Sequence, residues 1–461
     1  MRASAWLPPV LTILFSKADG LAPPTVPWLA CASAVEVNRA VEQHVRPGDC
    51  VVEMGSQLKE TSRLICDAVG ATGTALLCDV ARKSPRVSTS RNANFRRGDD
   101  LQSVPPQATW IELESFDGWR CAPALDASFK GASAPCDVLV CDLGGMTGND
   151  LILTTVSFCR EFLSRMKGGG GGHQPRVVIV KSTALCGLAW RLIHAQRLFA
   201  GSASLPLPGD GDSGGGGSGD DGCTGEKREE GGQFRAPRGT AGEPFIVATV
   251  GVEEYRRTIP SAVRLGDGVL EVGCHLGVTT ALLHEAAGGS DGGGGGGGGG
   301  GCIGVDIGAR IINGARERFP HVSFSVGDAW RIASLHRLRK ELLPSRRTLS
   351  PLPEAGTGTA ADTEGGDGNA YDVVYVDVGG LSGSDGLLEA LSLLGSIGHG
   401  LEPRVIVIKS LCMRRLASSL RPFSDVWNKE RKRSLLLAAE QQSEAEDDVA
   451  DAGQIPAAAG G

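Results

Sequence analysis

The chain has 461 residues, of which 67 are glycine and 5% aromatic, with a formal net charge of −7. The glycine is clumped without a collagen period, and no apolar run nears the roughly 18–20 residues of a membrane-spanning helix. A collagen, a polytopic membrane protein and a wholly disordered chain are excluded, and the low aromatic content speaks against a base-stacking surface as the main design.

In chain order, Met1–Ala22 comes first, with one arginine, an apolar run from Trp6 to Phe15, then Lys17. This is the pattern of a targeting leader over residues 1–25. The thirteen cysteines include no CxxC pair and no Cys/His spacing suited to zinc, so no metal is expected. Cys50, Cys78 and Cys141 lie in or beside apolar runs and read as small buried hydrophobes. An organelle interior such as a plastid, or the cytoplasm, is favoured over secretion.

Cys50–Met54 is a short β-branched-rich run that predicts a buried parallel strand, followed by a turn at Gly55 and a helix over Thr61–Val69. Asp79 ends the next strand. Val138–Cys141 predicts a strand ending at Asp142, Leu151–Met166 a helix, and Val177–Val180 a strand ending at Lys181. The first unit is placed at 26–205. A Gly/Ser/acidic linker follows at 206–242.

The second unit, 243–435, repeats this series. Strands are predicted at Gly268–Val272, up to Asp306, at Val373–Val376 and at Val405–Ile408, with helices at Thr279–Ala287 and Leu387–Ile397. An acidic, Ala/Gly-rich tail fills 436–461. Asp210–Glu230 and Ser443–Asp451 together hold twelve acids and two bases, so the rest of the chain is mildly basic.

The similarity between units is residue by residue. Val51, Glu53, Gly55, Leu58 and Thr61 recur as Val269, Glu271, Gly273, Leu276 and Thr279. Asp79 answers Asp306, Asp99 answers Asp328, Asp142 answers Asp377, and Lys181-Ser182 answers Lys409-Ser410. Blocks recurring in one order are an internal duplication. Strands alternating with helices imply, in each unit, a doubly wound parallel sheet covered on both faces. The expected fold class is therefore α/β, two tandem Rossmann-like units with Gly-rich inserts.

Open parallel sheets bind ligands at the carboxyl ends of their strands, where every recurring polar residue falls. Glu271, Gly273, Cys274 and Gly277 form a strand–turn–helix loop whose helix start offers free N–H groups. Asp306 is placed to accept two hydrogen bonds from a ribose diol. Asp328, beside Ala329 and Trp330, is placed to meet an adenine edge. Each feature has a plain structural alternative: turn chemistry for the glycine, helix capping for the aspartates.

Glu271, Gly273, Gly277, Asp306, Asp328 and Asp377, in this order, resemble the class I S-adenosylmethionine-dependent methyltransferases. The resemblance implies S-adenosylmethionine as cofactor, with the Gly273 loop at the methionyl end, Asp306 at the ribose and Asp328 at the adenine. His275 stands where the family's middle glycine is usual. In the first unit Lys59 replaces Gly277, and a cation there would crowd and repel a sulfonium, so that copy is expected to be degenerate. Asp377 with Lys409 resembles part of the Lys–Asp–Lys–Glu tetrad of the FtsJ-type RNA 2′-O-ribose methyltransferases. That makes the two residues a candidate catalytic pair and RNA a candidate partner. No lysine stands at the family's place upstream of either glycine loop, where Arg39 and Arg257 are the nearest cations, and Glu243 either closes the tetrad or opens the second unit. An Asp377–Lys409 ion pair at a strand end is the structural alternative. Basic residues at Arg331–Arg347, at Lys429–Arg433 and at Arg414 and Arg415 could meet an anionic substrate or form solvated helix faces. The methyl acceptor is unknown, and a catalytically inactive binding or scaffold protein on the same fold is the alternative function.

Overall fold

The computed structural model describes residues 26–55, 60–80, 108–113, 136–142, 150–168, 174–201, 243–289, 300–343, 371–379 and 386–424. The expected leader, linker and tail lie outside these residues, as do Lys59, Asp99 and Lys429–Arg433.

The first half runs β1 (Trp28–Cys31), α1 (Ala34–His44), β2 (Cys50–Met54), α2 (Glu60–Val69), β3 (Thr74–Val80), β4 (Ala108–Leu113), β5 (Val138–Cys141), α3 (Asp150–Gly168), β6 (Val177–Lys181) and α4 (Thr183–Arg191). β7 (Leu192–His194) and α5 (Ala195–Phe199) follow directly. The second half runs β8 (Phe245–Thr249), α6 (Gly251–Arg257), α7 (Ile259–Ala262), β9 (Gly268–Val272), α8 (Val278–Ala286), β10 (Gly301–Asp306), α9 (Ala309–Arg318), β11 (Ser323–Val326) and α10 (Ile332–Leu342). It ends with β12 (Val373–Val376), α11 (Gly386–Leu401), β13 (Val405–Lys409), α12 (Leu411–Ser419) and β14 (Leu420–Pro422).

These elements build two seven-stranded, all-parallel sheets, an α/β Rossmann-like arrangement. One has the order β4-β3-β2-β5-β6-β1-β14 and the other β11-β10-β9-β12-β13-β8-β7. Position for position the orders agree, and each sheet takes its last strand from the other half. β7 leaves α4 and pairs with β8, and β14 leaves α12 and pairs with β1. The halves have thus exchanged edge strands within one chain, the intramolecular form of a swap between protomers. Each exchange covers one edge of backbone N–H and C=O groups that would otherwise be exposed.

The repeated residues explain the repeated architecture. Asp49 accepts from Arg176 at 2.9 Å, and Asp267 accepts from Arg404 at 3.0 Å. Asp137 accepts from the Cys50 N–H, and Asp372 from the Gly268 N–H, each at 2.8 Å. These contacts lock the amino ends of neighbouring strands. Ser182 and Ser410 cap α4 and α12, accepting from the Leu185 and Met413 N–H groups. The shared Lys-Ser step is therefore partly architectural.

Helices cover both faces of each sheet. In the first half α1 and α2 pack Val37, Val41, Ile65 and Val69 on one face. In the second, Tyr255, Ile259 and Leu283 pack against Val269, Tyr375 and Val407. The opposite faces share one continuous core through α3, α4, α11 and α12, with Phe158, Leu185, Leu394 and Met413 in it. The described cysteines form no disulfide, and Cys50, Cys78 and Cys141 are buried. No helix among the described residues is long and apolar enough to cross a membrane.

Candidate functional site

The strand order of the second sheet reverses between β9 and β12, the crevice position of a doubly wound sheet. β9 ends under the glycine loop. Gly273 has φ +80°, and a Cβ there would stand 2.1 Å from the Asp377 carbonyl oxygen. The loop after β9 thus lies directly against the loop after β12. Gly277 has φ +77° and begins α8, and a Cβ there would meet the Phe324 ring at 2.5 Å. Both glycines are demanded by the protein's own packing and by positive φ.

His275 also has positive φ, and its N–H donates to Asp306 Oδ2 at 3.2 Å. Asp306 Oδ1 accepts from the Gly308 N–H at 3.0 Å. The carboxylate ties the glycine loop to the loop after β10. A carboxylate has about four lone-pair sites, so these two bonds leave room for a diol. Leu276 is 40% exposed and Ile307, next to Asp306, 78% exposed. Asp328 accepts from the Trp330 N–H at 3.0 Å, which shapes the turn into α10, and lies 3.9 Å from the Arg331 guanidinium. The Trp330 side chain is exposed.

Glu271 is buried beneath the loop and accepts from the Thr280 hydroxyl. Burial pushes its carboxyl up to about 8, the neighbouring Asp377 adds to the rise, and the Thr280 bond opposes it. Its first-half counterpart Glu53 is buried in the same way and accepts from Ser62 at 2.7 Å. Glu271 thus fastens the start of α8 to β9 from below. Cys274 is buried, and its thiol is pushed well above the usual range by burial and then by Glu271 and Asp306. That leaves it unfit as a thiolate nucleophile.

Asp377 and Lys409 end adjacent strands and form an ion pair. Asp142 and Lys181 do the same in the first half, at 2.8 and 3.0 Å. A lysine acting as a base must lose its proton, and a contacting carboxylate opposes that loss. Glu243 stands just before β8 and pairs with Arg191 at 2.6 Å, so it opens the second half. It does not stand in the glycine-loop crevice.

The tyrosines beneath this crevice escaped the sequence reading. Thr258 spends its hydroxyl hydrogen on the Tyr255 carbonyl at 2.7 Å, so Tyr375 donates to Thr258, at 2.9 Å. The Tyr255 ring meets the Tyr375 ring edge-on at 5.0 Å, and the Tyr255 hydroxyl is buried without a hydrogen-bond partner. The first half carries Val37, Ala40 and Val140 at the matching places, so the duplication gave no signal for them. Arg256 donates to Thr279 at 3.0 Å where Asn38 meets Thr61 in the first half.

Among the described residues no cluster of His, Cys, Asp and Glu is suited to a metal. No family model matches the chain, and no curated protein matches it. Among solved structures, one of a TehB-like SAM-dependent methyltransferase from Corynebacterium glutamicum ATCC 13032 Kitasato is similar at 17% identity and a TM-score of 0.19. The similarity covers 33% of this chain and 60% of that one.

Proposed function

We propose that the second half binds S-adenosylmethionine at the carboxyl edge of its sheet and methylates a nucleophile presented beside Asp377 and Lys409. The observation that carries this reading is the meeting of three strand-end loops at the switch point. Gly273 lies against Asp377, and His275 donates to Asp306. The residues suit the cofactor: Asp306 retains acceptor capacity for a ribose diol, and exposed Leu276 and Ile307 offer apolar cover to a purine. Asp328 would lie at the adenine. Gly273, Cys274 and Gly277 would line the methionyl end, with Glu271 supporting them from below.

When bound, S-adenosylmethionine supplies an electrophilic methyl carbon on a sulfonium. The chain's work is then to align the acceptor with that carbon, which provides most of the rate effect. Asp377 faces the acceptor. Lys409, held by Asp377, stabilises negative charge on an acceptor oxygen more readily than it removes a proton. An RNA ribose hydroxyl is one acceptor of this kind.

A second reading, a binding or scaffold protein without catalysis, is favoured by one observation. The Asp–Lys pair is closed equally in both halves. Calorimetric titration with S-adenosylmethionine and its demethylated product decides between them. Binding is expected, weakened about tenfold or more by Asp306→Ala and unchanged by Asp79→Ala. Absence of binding at millimolar ligand would discard the methyltransferase reading, and full affinity in Asp306→Ala would discard the ribose assignment.

A further inference from the structure

A cavity of about 330 Å3 opens in the core that the halves share, between α3 and α4 of the first and α11 and the start of β8 in the second. Its walls are mainly aliphatic, from Ile152, Leu188, Ile246 and Leu394, with exposed Gly395 and Ser396 of α11 at the rim. One ion pair stands in the wall. Arg191 is buried and spends Nε on the Gly187 carbonyl at 3.2 Å, Nη1 on the Pro244 carbonyl at 3.0 Å and Nη2 on Glu243 at 2.6 Å. Glu243 keeps 35% of its side chain exposed. A carboxylate has roughly four lone-pair sites, so it can accept a further hydrogen bond.

The residues that open this space are not duplicated. At the places of Gly395, Ser396 and Gly398, α3 carries Arg160, Glu161 and Leu163, while Trp28 answers Ile246 and Ser419 answers Arg191. A Cβ at Gly398 would stand 3.2 Å from Pro244, so packing accounts for that glycine. A Cβ at Gly395 would meet nothing within 4 Å. A glycine inside a helix costs stability relative to an ordinary side chain, and neither a positive φ nor a close neighbour requires this one. What Gly395 provides is access to the cavity.

We propose that this cavity binds a neutral, mainly aliphatic molecule of roughly ten heavy atoms, its carbon body among Ile152, Leu188, Ile246 and Leu394 and a hydroxyl donating to Glu243. An apolar void of about 150 Å3 takes up benzene, so this one has room for a larger guest. A charged head of either sign would give up water to meet an ion pair that is already neutral, whereas a hydroxyl loses less and finds an acceptor. The site does not rest on the function proposed above. It stands at the amino end of β8, whereas Thr249 at the carboxyl end lies beside Lys409, and the strand puts roughly 20 Å between them. Its walls come from both halves, so a guest clasps α11 against α3 and α4 beside the exchanged strand, where Leu192 pairs with Ile246.

The test is calorimetric titration of the full chain with 1-octanol, with octanoate and octylamine as charged counterparts and S-adenosylmethionine in parallel. Saturable one-to-one binding of octanol is expected, about tenfold or more tighter than that of either charged counterpart. It should be lost in Gly395→Leu, which fills the space, with the response to S-adenosylmethionine unchanged. Gly395→Leu installs a better helix former. Ser392→Leu, at a half-buried wall position one turn earlier, keeps the test decisive if the first variant fails to fold. No saturable octanol binding, or wild-type octanol affinity in a folded filling variant, overturns the site even where S-adenosylmethionine binds. Tighter binding of octanoate or octylamine than of octanol overturns the assignment of a neutral guest. Absence of S-adenosylmethionine binding alone overturns the cofactor reading and leaves the cavity site standing.

Discussion

At the scale of single residues, position along a strand was easier to read than contact. Asp306, Asp377 and Lys409 were legible because both halves keep an acid or a lysine at the same strand end. The Asp377–Lys409 pair was foreseen as the structural alternative, but what Asp306 touches was not legible, because it depends on loops that approach from distant parts of the chain. Asp306 holds the glycine loop through His275, and Glu271 works from beneath it. The buried Glu271 has a consequence for stability. In the unfolded chain a glutamic acid titrates near 4.5, and in the fold this one titrates at about 8. Between those values the folded state holds a proton that the unfolded state has lost, so stability falls as pH rises through the window and levels off above it. At about 1.4 kcal/mol per unit, the loss is on the order of a few kcal/mol. Glu271→Gln keeps an acceptor for Thr280 and cannot ionise. Urea unfolding at pH 5, 7 and 8.5 should show a shallower decline in the variant than in the wild type, and parallel declines would mean that Glu271 ionises freely in the fold.

At the scale of elements, strands were easier to place than helices. Cys50–Met54, Val138–Cys141, Gly268–Val272 and Val373–Val376 have the bounds that their β-branched runs predict. Both faces of these strands are buried, so apart from Glu53 and Glu271 the runs are apolar and their ends are sharp. α9 and β11 were not foreseen as elements, since Ser323–Val326 is short and half polar, and α10 takes up part of the basic run from Arg331 that was left between an anion-binding patch and a solvated helix face. β7 and β14 carry three residues each, too few for any period, and their partner strands belong to the other half. The Lys-Ser repeat shows the opposite situation, in which a recurring pair looks functional and half of it is a cap. Ser410 is fully buried and accepts from the Met413 N–H at 3.3 Å. Ser410→Ala should therefore cost about 1 kcal/mol of stability. Ser182→Ala should cost a similar amount, and the double variant their sum, because the two caps belong to different helices. Denaturant midpoints of the three variants check this, and an unchanged midpoint would show that the hydroxyl cap is dispensable.

At the scale of the whole molecule, the two halves are one folding unit. Leu192 and Ile193 of β7 are buried in the second half, as Leu420 and the adjoining Phe423 are in the first. Removing a partner would expose those side chains, at about 1.5–3 kcal/mol each, together with the core shared by α3, α4, α11 and α12. It would also uncover the edges of β1 and β8. A domain of this kind has only about 5–15 kcal/mol to spare. A chain divided between Gly201 and Glu243 is therefore expected to stay together as a one-to-one complex that melts in one cooperative step. Either half made alone should aggregate, or dimerise by exchanging its strand with a second copy of itself, because the matching strand orders let β7 find β1, or β14 find β8, of a like partner. Sizing by light scattering distinguishes these outcomes. A half that remains monomeric and unfolds cooperatively would show the exchange to be an ornament of the fold.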